Sequence, residues 1–299
     1  MKTIDRLIER IKQTNSVLCV GVDPQDSLFT TKIKEISETI QQYRKFCFDI
    51  IDSVYDIVPC MKFNIAFFET IGPEGLALYK DILEYASDKG LITIADIKRG
   101  DIGSTSEAYA KAFLEIGAPF ESDFITINGY FGIDGIKPFM DLANKNEKGI
   151  FVLVKTSNPS SSEIQDLKIE GTNKAIYEKM GELVESWGEN SIGDNAYSSM
   201  GAVIGATHKE QLREMRKKHD KMFFLVPGFG AQGGDANDIK YAFDQKGLGA
   251  IINSTRGITG KPASIEKNEK RIIDDEEFRK IIIAEVNDNN KKLNEAITK

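Results

Sequence analysis

The sequence predicts an α/β fold, a closed (β/α)8 TIM barrel that forms a single domain over residues 1–299. Eight short apolar runs recur along the chain, and segments with helical spacing separate them. Such runs are typical of parallel strands that are buried on both faces. The turn after the first run, Gly21-Val22-Asp23-Pro24, lacks the glycine fingerprint of an open dinucleotide-binding sheet. A closed barrel commonly uses about 250 residues as one domain, and no change of composition divides this chain.

The predicted elements follow from apolar spacing and from the residues that bound each run. A helix over residues 1–14 has apolar residues at Ile4, Leu7, Ile8 and Ile11, the spacing of one buried face. Glycine, proline, asparagine or aspartate bounds the apolar runs, which indicates strands. The predicted strands are 16–22, 59–68, 91–97, 124–127, 149–154, 200–206, 222–226 and 249–252. The predicted helices that separate and follow them are 34–58, 73–89, 104–116, 134–145, 172–190, 209–218, 235–245 and 275–295.

Two connections are predicted to be long loops, 155–171 after strand five and 255–269 after strand eight. The first is rich in serine, asparagine and proline, and the second in glycine, lysine and proline. Loops of this length at the C-terminal ends of strands often cover a ligand. We expect Lys155 to be a charge at the barrel rim. We expect His208, after strand six, to start a helix or to lie at the surface.

Composition argues against several classes of function. Asp and Glu outnumber Lys and Arg by 46 to 39, a net charge of −7, which argues against a general binder of nucleic acid or membrane surfaces. No stretch approaches the ~20 apolar residues that span a bilayer, and the N-terminus lacks a secretory signal pattern. The three cysteines form no CxxC pair and no cluster with histidine. We therefore expect free thiols, no metal site and a cytoplasmic location.

The densest charge lies at the end of strand three, in Asp96-Ile97-Lys98-Arg99-Gly100-Asp101. In a barrel, polar groups at the C-terminal ends of strands are the candidates for catalysis. Asp96 and Lys98 are two apart, so on a strand they point to the same face, where a buried lysine needs a carboxylate partner. A lysine held between Asp96 and Asp101 stays protonated, which suits it to stabilise a carbanion and then protonate it. The alternative is a structural cluster of ion pairs that closes the barrel end.

Glycine-rich loops after strands seven and eight predict a phosphate site, because these loops commonly hold a phosphate in this fold. Gln232 adds an amide, and Arg256 adds a guanidinium fork that suits a phosphate dianion. Turns also require glycine, so glycine-rich loops alone are weak evidence for a phosphate site. The position of Arg256 after strand eight strengthens that evidence. The glycines are Gly228, Gly230, Gly233 and Gly234 after strand seven and Gly257 after strand eight.

These motifs resemble those of the orotidine 5′-phosphate decarboxylase family, and in particular its longer bacterial subgroup. The resemblance runs from Ser16 to about Gly260. The most specific motif is Asp96-x-Lys98-x-x-Asp101-Ile102-x-x-Thr105. The supporting motifs are Val20-Gly21-Val22-Asp23-Pro24, Lys62-Phe63-Asn64, Thr156-Ser157-Asn158-Pro159, Pro227-Gly228-x-Gly230-x-Gln232 and Ser254-Thr255-Arg256-Gly257.

The resemblance implies a reaction and a set of catalytic groups. Orotidine 5′-monophosphate would lose CO₂ to give uridine 5′-monophosphate, without a cofactor, in pyrimidine nucleotide synthesis. Lys98 would protonate C6 of the pyrimidine, and Asp96 would lie near the departing carboxylate while holding Lys98. The protein would be a homodimer in which Asp101 reaches the neighbouring active site with Thr105 beside it.

The other residues that the resemblance implies would bind the substrate. Lys62 and Asp23 would bind ribose hydroxyls and connect to the charged groups of strand three. Ser157 would contact the amide edge of the pyrimidine. Gln232 and Arg256, with Gly257 beside them, would hold the phosphate. The phosphate is remote from the reacting carbon, so its binding energy can close the loops over the base.

Three alternatives remain open. A related barrel that enolises a sugar phosphate with Mg²⁺ carries a similar Asp-x-Lys-x-x-Asp pattern and a further acidic ligand on strand two, where this chain has Lys62. A Schiff-base aldolase would use Lys98 or Lys62 as its nucleophile. A non-catalytic barrel would bind a nucleotide monophosphate without turnover.

Overall fold

The computed structural model describes residues 1–230 and 236–298. Eight parallel strands form a closed barrel in chain order, and β1 completes the ring by pairing with β8. The predicted TIM barrel is therefore confirmed. The strands are β1 (Leu18–Val22), β2 (Cys60–Asn64), β3 (Ile92–Arg99), β4 (Phe124–Ile127), β5 (Gly149–Lys155), β6 (Ser198–Ile204), β7 (Met222–Pro227) and β8 (Ala250–Ser254).

The strands are apolar because the barrel buries both of their faces. Every residue of β1, β4, β6 and β8 is buried, so strict alternation of polar and apolar residues is absent there. Close packing between β1 and the end of β8 requires glycine at Gly21. A Cβ at this position would lie 2.0 Å from Thr255 Oγ1.

Helices surround the strands, and three of them are clearly shorter than the sequence predicts. The helix predicted over 172–190 spans only Ile176–Trp187. The helix predicted over 34–58 begins at Thr39, because the chain bends before it and Gln42 Nε2 donates to the carbonyl of Ile36 at 2.7 Å. The described part of the helix predicted over 235–245 gives way to a 3₁₀ turn at Lys240, and Phe243 is already extended. The α-helices are α1 (Thr3–Thr14), α2 (Thr31–Lys34), α3 (Thr39–Val54), α4 (Ala66–Glu69), α5 (Pro73–Asp88), α6 (Gly103–Leu114), α7 (Ile133–Lys145), α8 (Ile176–Trp187), α9 (Lys209–Lys218), α10 (Ala236–Ile239), α11 (Arg256–Thr259), α12 (Lys261–Glu269) and α13 (Asp275–Ile297).

The connection after β8 is largely helical, so the loop predicted over 255–269 was wrong. Helix α11 begins at Arg256, and α12 follows Gly260 with Pro262 in its first turn. Proline is common in loops, but its fixed φ also suits the first turn of a helix, and Pro262 has that second role here. The connection after β5 contains a 3₁₀ turn over Pro159–Glu163 and reaches α8 only at Ile176.

Helix α1 packs across the N-terminal end of the barrel, where it contacts both β3 and β6. Its predicted apolar face is buried, with Ile4, Leu7 and Ile8 at 0% exposure. Arg6, on the same helix, forms an ion pair with Asp123 at 2.5 Å. This end of the barrel is therefore covered, and the polar strand ends described below lie at the opposite end.

Helix α13 packs against β1 and α3 and meets the segment that follows α1. Ser16 Oγ donates to Asn290 Oδ1 at 2.6 Å, and Asn294 Nδ2 donates to the carbonyl of Asn15 at 2.9 Å. Within residues 1–230 and 236–298, no helix combines the length and the apolar content that a membrane crossing requires.

Candidate active site

A cavity of about 650 Å³ opens at the C-terminal ends of the strands, where the sequence predicts the functional groups. Charged side chains line it from several directions. They are Asp23 after β1, Lys62 on β2, Asp96 and Lys98 on β3, and Arg256 at the start of α11. Closure of the barrel therefore brings together charges that are far apart in the sequence.

Asp96 is the centre of these charges. Its side chain is 6% exposed, and both of its oxygens are engaged. Oδ2 accepts from Lys62 Nζ at 2.5 Å, whereas Oδ1 accepts from Lys98 Nζ at 2.6 Å and from Thr126 Oγ1 at 2.9 Å. The contact between Asp96 and Lys98 that the sequence predicts is present. Asp23 lines the same cavity and interacts electrostatically with Lys62, so these groups form the charged array Asp23–Lys62–Asp96–Lys98.

Burial and mutual attraction set the charge states in this array. Burial alone would raise the pKa of Asp96, but the ammonium groups of Lys62 and Lys98 outweigh it and hold the pKa well below its usual range. Burial would lower the pKa of Lys62, but Asp96 and Asp23 raise it above its usual value. Burial raises the pKa of Asp23, and Lys62 only partly offsets that rise. The array therefore contains a fixed anion at Asp96 and a fixed cation at Lys62.

Asp23 Oδ1 is buried, and no group in the described residues forms a hydrogen bond with it. The same is true of Asn253 Oδ1 at the end of β8, another residue of the cavity lining. Buried acceptors normally have a donor. A ligand with hydroxyl groups would supply the donors that these two oxygens lack.

The backbone of β3 is irregular where it carries the array. Ala95 pairs with Ile125 but Arg99 pairs with Ile127, so four steps along β3 match two steps along β4. Lys98 has a φ of 47°, in the left-handed region that costs a residue with a side chain about 1–2 kcal/mol. The Lys98 side chain is 50% exposed, so its ammonium group faces the cavity rather than the core.

Ser157 lines the cavity together with Thr156 and Asn158, at the start of the connection after β5. Gln165 holds this segment, because its Oε1 accepts from the Thr156 N–H at 2.9 Å and its Nε2 donates to Thr156 Oγ1 at 2.8 Å. The segment predicted to contact the pyrimidine is therefore held in place by hydrogen bonds to a residue later in the same connection.

Lys155 is not a charge at the barrel rim, contrary to the prediction. Its side chain is 0% exposed, and Nζ donates to Asp166 at 2.8 Å and to Ser161 Oγ at 3.2 Å. A carboxylate eleven residues along the loop makes this burial possible. His208 precedes α9, as expected, and its Nε2 lies 3.0 Å from the carbonyl of Thr156.

Asp101 and Thr105 lie outside the cavity lining within this chain. Asp101 Oδ1 accepts from the N–H of Ile102, and Thr105 is exposed in the first turn of α6. Exposed apolar side chains lie at the starts of α6 and α7 and in the segment just before α7. This apolar rim consists of Ile102, Tyr130, Phe131 and Ile133, which are 53%, 82%, 49% and 43% exposed.

The predicted phosphate residues are only partly described. Arg256 and Gly228 line the cavity, and Gly228 and Gly230 have φ values of 101° and 74°, which glycine adopts without strain. Gly257 lies in α11. Gln232, Gly233 and Gly234 lie outside the described residues.

Two residues near the cavity were missed or misplaced from sequence: Thr126 and Lys155. Thr126 is the one polar residue in the run Phe124–Ile127, and a polar residue inside a buried strand was the available signal for it. In residues 1–230 and 236–298, no three His, Cys, Asp or Glu side chains are grouped so that they could hold a metal ion.

Comparison with known proteins matches this geometry to one family. Residues 16–270 match the family described as orotidine 5'-phosphate decarboxylase / HUMPS. An orotidine 5'-phosphate decarboxylase of Clostridium perfringens is 43% identical over 271 residues, which are 89% of this chain and 91% of that protein. The one from Clostridium acetobutylicum is 43% identical over 273 residues, 89% and 92% of the two chains. The solved structure of Leishmania donovani OMP decarboxylase has a TM-score of 0.74 at 30% identity and covers 97% of this chain and 100% of its own. On the sequence match and the shared barrel together, the chain belongs to the orotidine 5′-phosphate decarboxylase / HUMPS family.

Proposed function

We propose that this chain converts orotidine 5′-monophosphate to uridine 5′-monophosphate and CO₂ in de novo pyrimidine biosynthesis. The observation that carries the proposal is the charged array Asp23–Lys62–Asp96–Lys98 at the mouth of the barrel, in a chain of this family. The array holds a cation beside a buried anion. An enzyme that catalyses this reaction is a carboxy-lyase.

The chemistry needs a positive charge that is in place before the bond breaks. When the bond from C6 to the carboxylate breaks, its electron pair stays on C6, where no neighbouring carbonyl delocalises it. The Lys98 ammonium stabilises that carbanion and then transfers a proton to C6, which leaves a neutral amine. Asp96 faces the departing carboxylate, so the repulsion between the two anions is relieved as neutral CO₂ forms. No cofactor takes part in these steps.

The substrate-binding roles follow the same geometry. Lys62 and Asp23 bind ribose hydroxyls, a role that the buried, unsatisfied Asp23 Oδ1 supports within the described residues. Ser157 contacts the amide edge of the pyrimidine. Arg256, with Gln232 and Gly257, holds the phosphate, and this remote binding energy keeps the base against the charged array.

A homodimer with shared active sites is part of the proposal. Asp101 and Thr105 of one subunit would complete the site of the other, and the exposed apolar rim at the starts of α6 and α7 supports an interface at this surface. A test mixes two inactive variants, Lys98→Ala and Asp101→Ala, by co-expression. Half of a random mixture is heterodimer, and each heterodimer has one intact site, so about a quarter of wild-type activity should return. If the mixture stays inactive, the sites are not shared.

We also propose that residues 1–299 form one domain that works in the cytoplasm. Cys19, Cys47 and Cys60 are free and buried, which supports a reducing compartment.

One alternative is a metal-dependent sugar-phosphate barrel, and one assay separates it from the decarboxylase. The assay monitors the loss of orotidine 5′-monophosphate by its absorbance, without added metal, in the presence and in the absence of EDTA. We expect turnover that EDTA leaves unchanged, because the Lys62 ammonium occupies the side of Asp96 that a cation would need. Loss of turnover on chelation would favour the metal-dependent enzyme.

Lys98→Ala tests the mechanism in the same assay. We expect kcat to fall by at least about 10³-fold while uridine 5′-monophosphate still binds, because the proton donor is lost and the binding groups remain. Lys137→Ala is the matched control, since Lys137 is 61% exposed and pairs with Asp141 on α7. A Lys98→Ala variant with a near wild-type rate would exclude the proposed mechanism.

A further inference from the structure

Thr126 lies on β4 beside the irregular part of β3, and its side chain contacts three groups of the catalytic segment. Thr126 is part of the cavity lining, and we infer that it is a positioning residue of the decarboxylase, which sets the orientation of Asp96 and Lys98 and forms no hydrogen bond to the substrate. The inference rests on the proposed function and deepens it. Thr126 is 1% exposed, so a purely surface role is excluded.

The irregularity of β3 creates a need that Thr126 meets. Four steps along β3 match two along β4, so the N–H groups of Ile97 and Lys98 lack regular partners in the β3–β4 ladder. Both donate instead to Thr126 Oγ1, each at 3.0 Å. These two bonds fix the peptide units on either side of Ile97, directly before the point where Lys98 takes its left-handed φ of 47°. The side-chain oxygen of β4 thus replaces the backbone carbonyls that a regular ladder would offer.

The same hydroxyl also orients the carboxylate. Thr126 Oγ1 donates to Asp96 Oδ1 at 2.9 Å, the oxygen that also accepts from Lys98 Nζ. A hydroxyl has one donor and two acceptor positions, and here all three are in use. No hydrogen-bonding capacity remains for a ligand. The Thr126 hydroxyl therefore acts through Asp96 and the backbone of Lys98.

This arrangement matters when the proton moves. As Lys98 gives its proton to C6, its bond to Asp96 Oδ1 weakens because the ammonium becomes an amine. The Thr126 hydroxyl still donates to that oxygen, and Lys62 still donates to Oδ2. The carboxylate therefore keeps its position through the turnover and can receive the ammonium again when Lys98 is reprotonated.

Thr126→Val, which keeps the shape and removes the hydroxyl, is the principal test. We expect kcat for orotidine 5′-monophosphate to fall by at least about tenfold, because small misplacements of reacting groups are costly. The affinity for uridine 5′-monophosphate should change by less than about threefold, because the ribose and phosphate groups are untouched. Thr126→Ser, which restores the hydroxyl, should return kcat to within about threefold of the wild type.

Thr93→Val is the matched control. Thr93 is also a buried threonine of this sheet, and its hydroxyl also bonds to a carboxylate and to a backbone N–H, those of Asp123. Thr93 lies at the other end of β3, away from the cavity. Loss of its hydroxyl should therefore lower the melting temperature and leave kcat unchanged. If Thr126→Val does not fold, Thr126→Cys takes its place, since a thiol is a weak donor of similar size.

The outcomes separate the inference from the proposed function. If the wild type does not decarboxylate the substrate, the proposed function fails. If it does, and Thr126→Val or Thr126→Cys matches its kcat, the inference alone is overturned. A Thr126→Ser variant as slow as these, or a Thr93→Val variant with an equal loss of kcat, would also overturn it, because a general loss of packing would then explain the effect.

Discussion

Lys155 and Asp166 hold the connection after β5, and their unequal burial predicts unequal costs when either is removed. The Lys155 side chain is 0% exposed, whereas that of Asp166 is 35% exposed. Asp166→Ala leaves an ammonium group in the interior, with Ser161 Oγ at 3.2 Å still able to accept from it. Lys155→Met leaves a carboxylate that already reaches water.

The magnitudes follow from this difference. Removing one partner of a buried ion pair costs about 3–5 kcal/mol, because the other charge is left uncompensated. We expect Asp166→Ala near the lower limit, at about 3 kcal/mol, because Ser161 remains. We expect Lys155→Met to cost about 1 kcal/mol, since methionine keeps an apolar stem and the carboxylate is hydrated. The double variant removes both charges and should be about 2 kcal/mol more stable than Asp166→Ala alone.

Urea unfolding at neutral pH measures these free energies of unfolding. Lys137 and Asp141 provide the control, because this exposed pair has the same ion-pair chemistry, and Asp141→Ala should cost less than about 0.5 kcal/mol. The reasoning from burial would be refuted by equal losses for Asp166→Ala and Lys155→Met. It would also be refuted by a double variant less stable than Asp166→Ala.

Three further predictions concern the cavity. Arg256→Ala should weaken the binding of uridine 5′-monophosphate by at least about 30-fold and that of uridine by less than about threefold, because only the nucleotide carries the phosphate. Calorimetry measures both affinities, and an equal loss for the two ligands would exclude Arg256 from the phosphate site. Asp23→Asn should raise the melting temperature at pH 7, because burial raises the pKa of Asp23 and its ionisation therefore destabilises the fold. That gain should vanish as the pH falls below about 4, where the carboxyl is protonated in both states; a constant gain would contradict the charge argument. Gly21→Ala should lower the free energy of unfolding by about 1–3 kcal/mol, because the new Cβ meets Thr255 Oγ1. Adding Thr255→Ala to this variant should recover part of the loss in thermal unfolding, and no recovery would show that the clash is elsewhere.

The barrel could be predicted from the sequence because strands buried on both faces are unbroken apolar runs. The boundaries were predicted less well where apolar residues continue past the strand. The run 59–68 includes β2 but also the start of α4 at Ala66, and a short apolar run has no period that distinguishes the two. At β6 the strand begins earlier than predicted, at Ser198. This polar residue is buried because its Oγ donates to the carbonyl of Gly188, a partner that local spacing does not reveal.

The candidate site was predictable where spacing along one strand determines it, and less so where two strands meet. Asp96 and Lys98 are two apart, and their contact followed from that spacing. The bonds from Thr126 depend on the register of β4 against β3, which shifts at this point, and regular alternation gives no hint of a shift. Lys155 was predicted at the barrel rim, but it is buried against a carboxylate. Its partner Asp166 comes from a loop whose path local spacing does not determine.

Helix α1 has a consequence for the order in which the chain folds. Its apolar face rests on β3 and β6, and Asn15 at its end accepts from Asn294, 279 residues later. A ribosome makes all of these partners after α1, so Ile4, Leu7 and Ile8 remain without their final neighbours for most of synthesis. During that time the helix offers an apolar face of the kind that chaperones bind. The element that covers one end of the barrel is therefore translated early and docks late.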